Sequence, residues 1–288
     1  MANRLTVFLR DCRTAIHTLS LYGAAAIASY GWALGRLLHF PTRPYLPLWF
    51  AGALFVYNID RLKADPSDKV NTPRRYRESL RLRPAGALAA ALAACALILL
   101  PIFSRDWVSL LLTAGGGIVC LSYSVPFLGF RLKDVPLLKT FFAPTLVTAA
   151  YFVLPRQGAG TAASAMPYHL LAAGWTWVFL LFNMILCDLR DLEGDRRMRT
   201  RSLPVTIGAR WTLRTLGGLL GALAILSLFT AWRAPPEKAL LWEELGAVSV
   251  LYLGGLLAAA RKPKPESFYE WWVEGMLFLP ALVVLGNR

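Results

Sequence analysis

Charge is scarce in this 288-residue chain: Asp, Glu, Lys and Arg make up 17% of it, against about 25% in ordinary soluble domains. A conventional water-facing surface is thereby excluded. Acids are rarer than bases, 17 against 31. Cysteine is nearly missing too. Cys12, Cys95, Cys120 and Cys187 stand far apart, with no CxxC and no Cys/His pairing, so neither a zinc site nor a disulfide framework is encoded. They read as small hydrophobes. His17, His39 and His169 are equally scattered, which leaves nothing for a histidine-centred triad or metal centre.

What the chain has instead is apolar sequence: 56% hydrophobic residues and a mean hydropathy of +0.48. A spanning helix needs about 20 mostly apolar residues, because lipid satisfies no exposed backbone group. About nine stretches approach that length: 19–38, 46–62, 85–103, 107–124, 136–154, 167–187, 211–232, 240–260 and 268–285. Trp49, Trp107, Trp211, Trp232, Trp242, Trp271 and Trp272 sit near their ends, where interfacial anchors belong. The fold class expected is all-α, a polytopic membrane bundle of about nine helices forming one domain over 1–288, with aspartate-rich loops at 58–83 and 183–210.

The net charge of +14 would suggest nucleic acid in a soluble protein. Here the bases lie in the gaps between apolar stretches. With alternate gaps assigned to opposite sides, 24 of the 31 bases fall on one side: Arg4, Arg10 and Arg13, the eight in 61–83, Arg131, Lys133 and Lys139, the seven in 190–214, and Arg261, Lys262 and Lys264. The positive-inside rule then predicts an integral inner-membrane protein with a cytoplasmic amino terminus, a carboxyl terminus outside and an odd helix count. Membrane lipids are expected partners and nucleic acid is not. Arg10 and Arg13 ahead of an apolar run also look like a signal peptide, read here as an uncleaved first helix.

Eight of the 17 acids fall in two gaps of the basic side: Asp60, Asp65, Asp68 and Glu78, then Asp188, Asp191, Glu193 and Asp195. Both clusters begin where an apolar helix ends, at a depth where an unpaired charge is costly. On a helix, offsets of three and seven place Asp188, Asp191 and Asp195 within about 60° of one another. Like charges so close repel unless a cation compensates, as Mg²⁺ bridged to phosphate would. A solvated acidic turn neutralised by Arg190, Arg196, Arg197 and Arg199 fits the same spacing. Asp65-Pro66-Ser67-Asp68 reads equally as a helix start with Asp65 as N-cap. Asn58 and Asn183, amides inside apolar helices, either orient a carboxylate or acceptor or bond between helices.

Asn183-Met-Ile-Leu-Cys-Asp188-Leu-Arg-Asp191-Leu-Glu193-Gly194-Asp195-Arg196, followed by Arg201-Ser-Leu-Pro204-Val and Gly208, resembles the second aspartate-rich motif of the UbiA superfamily of intramembrane prenyltransferases. Tyr123-Ser-Val-Pro126 and Arg131-Leu-Lys133-Asp134-Val-Pro136-Leu-Leu-Lys139 resemble that family's loop after helix four. The first motif departs from the pattern. Tyr57-Asn58-Ile-Asp60-Arg61 is followed only at Asp65 and Asp68, before Asn71-Thr-Pro73-Arg74.

The resemblance implies a Mg²⁺-dependent enzyme that binds an allylic prenyl diphosphate by its head and moves the prenyl group to a lipophilic, aromatic acceptor. Asp60, Asp65, Asp68, Asp188, Asp191 and Asp195 are then the metal ligands, with Asp60, Asp188, Asp191 and Asp195 the catalytic set. Asn58, Arg61, Tyr123, Lys133, Lys139, Asn183 and Arg190 would bind substrate. Tyr57, Tyr123, Trp175 and Trp177 offer faces to an allylic cation. A terpene cyclase of the same fold, or a transport or lipid-binding protein, is the rival expectation. Prenyl chain length and oligomeric state are not encoded legibly.

Overall fold

A computed structural model of the chain describes residues 14–125, 131–156 and 165–287. Arg4, Arg10, Cys12, Arg13 and Pro126 lie outside them. No strand occurs among the described residues. The helices in order are α1 (Leu21–Leu38), α2 (Leu46–Leu62), the short α3 (Pro66–Asn71) and α4 (Pro73–Arg81), then α5 (Arg83–Phe103), α6 (Trp107–Ser124) and α7 (Leu138–Arg156). After these come α8 (Met166–Arg190), the short α9 (Leu192–Arg197) and α10 (Leu203–Ile207), α11 (Ala209–Arg233), α12 (Pro236–Ala260) and a composite α13 over Glu266–Gly286.

Each of the nine apolar stretches is helical. Six of the helices, α5, α7, α8, α11, α12 and α13, are long and apolar enough to cross a membrane, and α6 is a shorter apolar helix. Proline opens α2, α3, α4, α5, α8, α10 and α12, a position where its missing N–H is no loss. Asp106 starts α6 by accepting from the Ser109 amide at 2.9 Å.

The bundle is organised around α8. Of its apolar window 56% is buried inside the protein, against 22% for α5, so α8 is central and α5 peripheral. Trp175, Phe179, Phe182, Ile185 and Leu186 on α8 are fully buried against α7 and α11. Leu88, Leu111, Ile118, Leu228, Trp232 and Leu251 point outward, exposed, as a lipid-facing belt requires. The α1–α2 crossing is close because Gly31 has no Cβ, which would overlap the Trp49 ring.

Two irregularities matter for function. The run from Asp188 to Asp195 is not one straight helix: α8 ends at Arg190, Asp191 is the junction, and α9 follows. Backbone bonds from Asp191 to Cys187 and from Asp195 to Asp191 carry the register across. The second lies in α13, which is π-helical over Tyr269–Val273 and 3-10 over Glu274–Phe278. The carbonyls at the change are taken by side chains from three other helices. Tyr22 donates to Trp271 at 3.3 Å, Tyr252 to Trp272 at 2.9 Å, and Asn183 to Val273 at 2.7 Å.

Candidate functional site

At one end of the bundle the two aspartate clusters converge. The second is built on the end of α8. Asp188 is fully buried, and its Oδ2 accepts from the Thr140 hydroxyl at 2.5 Å. Thr140 in turn accepts from the Leu203 amide at 3.1 Å, and the Leu137 amide bonds the Arg201 carbonyl at 2.8 Å, so the segment after the aspartates is latched onto the start of α7. At the centre sits the Lys139 ammonium, 3.5 Å from Asp188, 3.8 Å from Asp191 and 2.7 Å from Asp195. Asp188 Oδ1 is buried without a hydrogen-bond donor among the described residues. The Lys139 ion pair reaches it by charge alone.

Asp191 is gripped bidentately by its neighbour Arg190, at 2.7 and 3.1 Å. Burial works against its charge, but Arg190 and Lys139 outweigh that and hold its carboxyl below the ordinary value. Burial pushes Asp195 up in spite of Lys139. The Arg190 guanidinium also lies 5.6 Å from the centre of the Tyr269 ring, within cation–π range.

The first cluster divides. Asp65 is the N-cap of α3, accepting from the Ser67 amide at 3.0 Å and hydroxyl at 2.9 Å, while its other oxygen takes Lys133 at 2.7 Å and Arg131 at 3.4 Å. Burial opposes its ionisation, yet Lys133 and Ser67 overcome this and hold it well below the usual carboxylate range. Asp68, one helical turn on, faces the second cluster. Burial first, then the charges of Asp60, Asp191 and Asp65, push it up to about 7, with Arg190 offsetting part. This mutual repulsion links the two clusters. A mechanical link accompanies it: Asn71 accepts from the Gly194 amide at 2.8 Å, and a Cβ on Gly194 would overlap the Asn71 amide.

Lys63 joins this group. Its Nζ is buried with no hydrogen-bond acceptor among the described residues, near the charges of Asp60, Lys133, Arg131 and Asp65. Tyr123 stacks on Phe142 at 4.4 Å, within electrostatic range of Lys139, Asp60, Asp188 and Asp195.

Other expected site residues are placed elsewhere. Arg61 turns away to the carbonyls of His17, at 2.8 Å, and Thr18. Asn58 is buried and bonds the Leu19 and Leu54 carbonyls at 3.0 and 2.8 Å. Asn183 is spent on Val273. Asn183 is thus a bond between helices, and Asn58 ties α2 to the turn before α1. Trp175 is core, donating to Ser227 at 2.8 Å.

Sequence reasoning passed over Lys63, Asn71, Thr140 and three acids of α13: Glu266, Glu270 and Glu274. For the acids a signal existed, since carboxylates at four-residue intervals in an apolar stretch are unusual. Lys63, Asn71 and Thr140 gave none.

The arrangement offers one hard-oxygen donor set, and beside it the Lys63 ammonium, which has no hydrogen-bond acceptor among the described residues. Among the described residues no three acidic, histidine or cysteine side chains are close enough to enclose a metal ion by themselves. A cation that keeps several of its waters needs only one or two carboxylates, which is the habit of Mg²⁺. The orphaned Asp188 oxygen and the repulsion at Asp68 fit such an ion.

The sequence model of the UbiA prenyltransferase family matches residues 19–278. A curated relative, the digeranylgeranylglyceryl phosphate synthase of Natronomonas pharaonis, is 25% identical over 226 residues, which cover 77% of this chain and 75% of the relative. Solved structures of a UbiA homolog from Archaeoglobus fulgidus share the fold. The one bound to DMAPP and Mg²⁺ superposes with a TM-score of 0.64 at 13% identity, covering 96% of this chain and 100% of that one. The one bound to GPP and Mg²⁺ gives 0.60 at 14% identity, with 95% and 99% covered.

Proposed function

Because the chain belongs to the UbiA prenyltransferase family, we propose that it transfers a polyprenyl group from a prenyl diphosphate to a lipophilic acceptor inside the membrane, with Mg²⁺ as cofactor. The observation that carries this reading is the paired deficit at the site. Among the described residues, a buried carboxylate oxygen of Asp188 lacks a hydrogen-bond donor, and a buried ammonium of Lys63 lacks an acceptor. A magnesium diphosphate supplies both. The solved structures of the Archaeoglobus fulgidus homolog, bound to DMAPP or GPP with Mg²⁺, support the same ligand class.

Asp188, Asp191 and Asp195 on one side, and Asp68 with Asp60 on the other, would hold the ion. When bound, Mg²⁺ neutralises the diphosphate and withdraws charge from its leaving oxygen. Lys63, Lys133 and Lys139 surround the departing anion with charge-assisted donors. With those carboxylates holding the ion, Lys139 would be placed to pair with the phosphate. Asp65 and Arg131 position Lys133. Apolar walls exclude water, and Tyr123 presents a face toward the allylic cation. An aromatic acceptor is the sequence expectation. The relative named for a glyceryl phosphate product supports a hydroxyl-bearing lipid as well. The amino terminus is placed in the cytoplasm and the carboxyl terminus outside, on the strength of the bases in the gaps.

The test is incubation of the purified protein with Mg²⁺ and geranylgeranyl diphosphate, with and without the lipids that copurify with it, followed by diphosphate assay and mass spectrometry. A prenylated lipid is expected. A cyclic hydrocarbon formed without acceptor would replace transferase by cyclase.

A further inference from the structure

The last helix carries charge that prenyl transfer, as described, leaves unused. Glu266, Glu270 and Glu274 recur every fourth residue at the start of α13, a helix apolar enough to span, where ionisable groups are expensive and mark function. Two of them have structural work. Glu266 accepts the Arg74 and Arg75 amides at 3.0 and 3.1 Å, tying down the start of α4. Glu270, 3% exposed, pairs with the Arg74 guanidinium.

Glu274 is different. Its Oε1 accepts from Arg75 at 3.1 Å, while Oε2 has no donor among the described residues and stays accessible in a side chain that is 20% exposed. That oxygen lies 4.0 Å from where a Cβ on Gly23 would stand, and the Tyr57 ring lies 3.4 Å from the same point. Tyr57 is 41% accessible and lies within electrostatic range of Glu274, Cys187 and Arg75 on α13, α8 and α4. The ring thus presents an accessible face beside that Glu274 oxygen. Glu274 is also within electrostatic range of Arg190, which grips Asp191 of the diphosphate site. The change from π to 3-10 geometry falls immediately before Glu274, the kind of register shift that recurs at functional positions. Tyr22, Tyr252 and Asn183 pin its carbonyls.

We propose that Glu274 binds the acceptor: its Oε2 accepts a hydrogen bond from the hydroxyl of a lipophilic alcohol or phenol and takes that proton as the ether forms. This rests on the prenyl-transfer reading. The bond from the prenyl carbon to the diphosphate oxygen breaks, and its electron pair leaves with the diphosphate. A lone pair of the acceptor oxygen forms the new C–O bond. The hydroxyl proton passes to Glu274 and leaves to water after product release. Arg75 keeps the carboxylate oriented, and Gly23 leaves room for the hydroxyl.

The experiment measures ether product and diphosphate release in detergent with Mg²⁺ and geranylgeranyl diphosphate, using a monoalkylglycerol in one arm and an alkylphenol in the other. Removing a general base typically costs 10²–10⁴-fold. Glu274→Gln is therefore expected to lower transfer in the productive arm by about 10²-fold and to raise the KM for the acceptor. Its KM for the donor and its diphosphate release without acceptor should change far less than transfer does. Glu274→Asp should recover part of the loss. Glu270→Gln, a control for the ion-pair layer, should lower thermal stability and leave the acceptor KM alone. Wild-type transfer by Glu274→Gln, or an equal loss of acceptor-independent diphosphate release, would overturn the assignment. So would wild-type release of diphosphate without ether in either arm. A wild-type protein that releases no diphosphate at all would overturn the transferase reading, and this inference with it.

Discussion

The two aspartate clusters do the same electrostatic work from different foundations. Asp188, Asp191 and Asp195 hang from the end of α8, the most buried spanning helix, and the following segment is latched to α7 through Thr140 and Arg201. Asp65 and Asp68 ride on α3, six residues long with none of them buried. A helix that short is not stable alone. It is held by an N-cap, by the Asn71 bond to Gly194 and by ion pairs to the loop before α7. One cluster is a rigid wall and the other a flap fastened to it. Rigid placement suits the groups that must hold charge at membrane depth, whereas the flap tolerates irregular spacing because its carboxylates reach the site from a separate element.

This contrast is open to direct test. The largest effect is expected in the wall. Asp191→Ala and Asp195→Ala should each lower Mg²⁺-dependent diphosphate release by about 10³-fold, since metal-ion stabilisation of a leaving group is worth several kcal/mol. Wild-type turnover in either would remove the wall from the site. The flap should then split: Asp68→Asn is expected to cost about 10²-fold in turnover, and Asp65→Asn less than tenfold, since Asn remains a good N-cap. A larger loss for Asp65 would reverse the division of labour between cap and ligand. Gly194→Ala addresses the fastening. Its Cβ would overlap Asn71, and thermal unfolding should show a loss of about 1–3 kcal/mol, with a raised Mg²⁺ requirement.

The smallest effect is in pH. In the fold Asp68 stands at about 7, against 3.8 for the free group. A folded value raised above the unfolded one means that the ionised carboxylate destabilises the fold: the penalty is absent below the unfolded value and grows as pH rises toward 7. In Mg²⁺-free buffer, the thermal stability of Asp68→Asn should therefore fall less than that of wild type between pH 4 and 7. Added Mg²⁺ should flatten the wild-type curve too. Identical curves would show that Asp68 does not face the other carboxylates.

Much of this was readable in advance. The α2 and α6 boundaries follow from apolar length and punctuation, and Asp65-Pro66 announced its helix start. The gathering of Asp188, Asp191 and Asp195 follows from a spacing that survives the kink at Asp191. A cation next to an aspartate looks like a phosphate ligand, but Arg61 is taken by the carbonyls of His17 and Thr18 just ahead of α1. Lys139 was expected among the phosphates and stands among the carboxylates, because three like charges in a low-dielectric site attract the nearest ammonium.

By itself the sequence determined the solvent of this protein, its helical class, the order of its spans and the chemistry of its second motif. These depend on composition and on short periodicities that any segment carries alone. Tertiary structure decided which amide became a bond between helices, that Lys63 would have no hydrogen-bond acceptor among the described residues, and that α13 would change register beside Glu274. Those outcomes depend on neighbours that are distant in sequence. Asn183 and Val273 meet across 90 residues, and Asn71 and Gly194 across 123. No local pattern specifies such meetings.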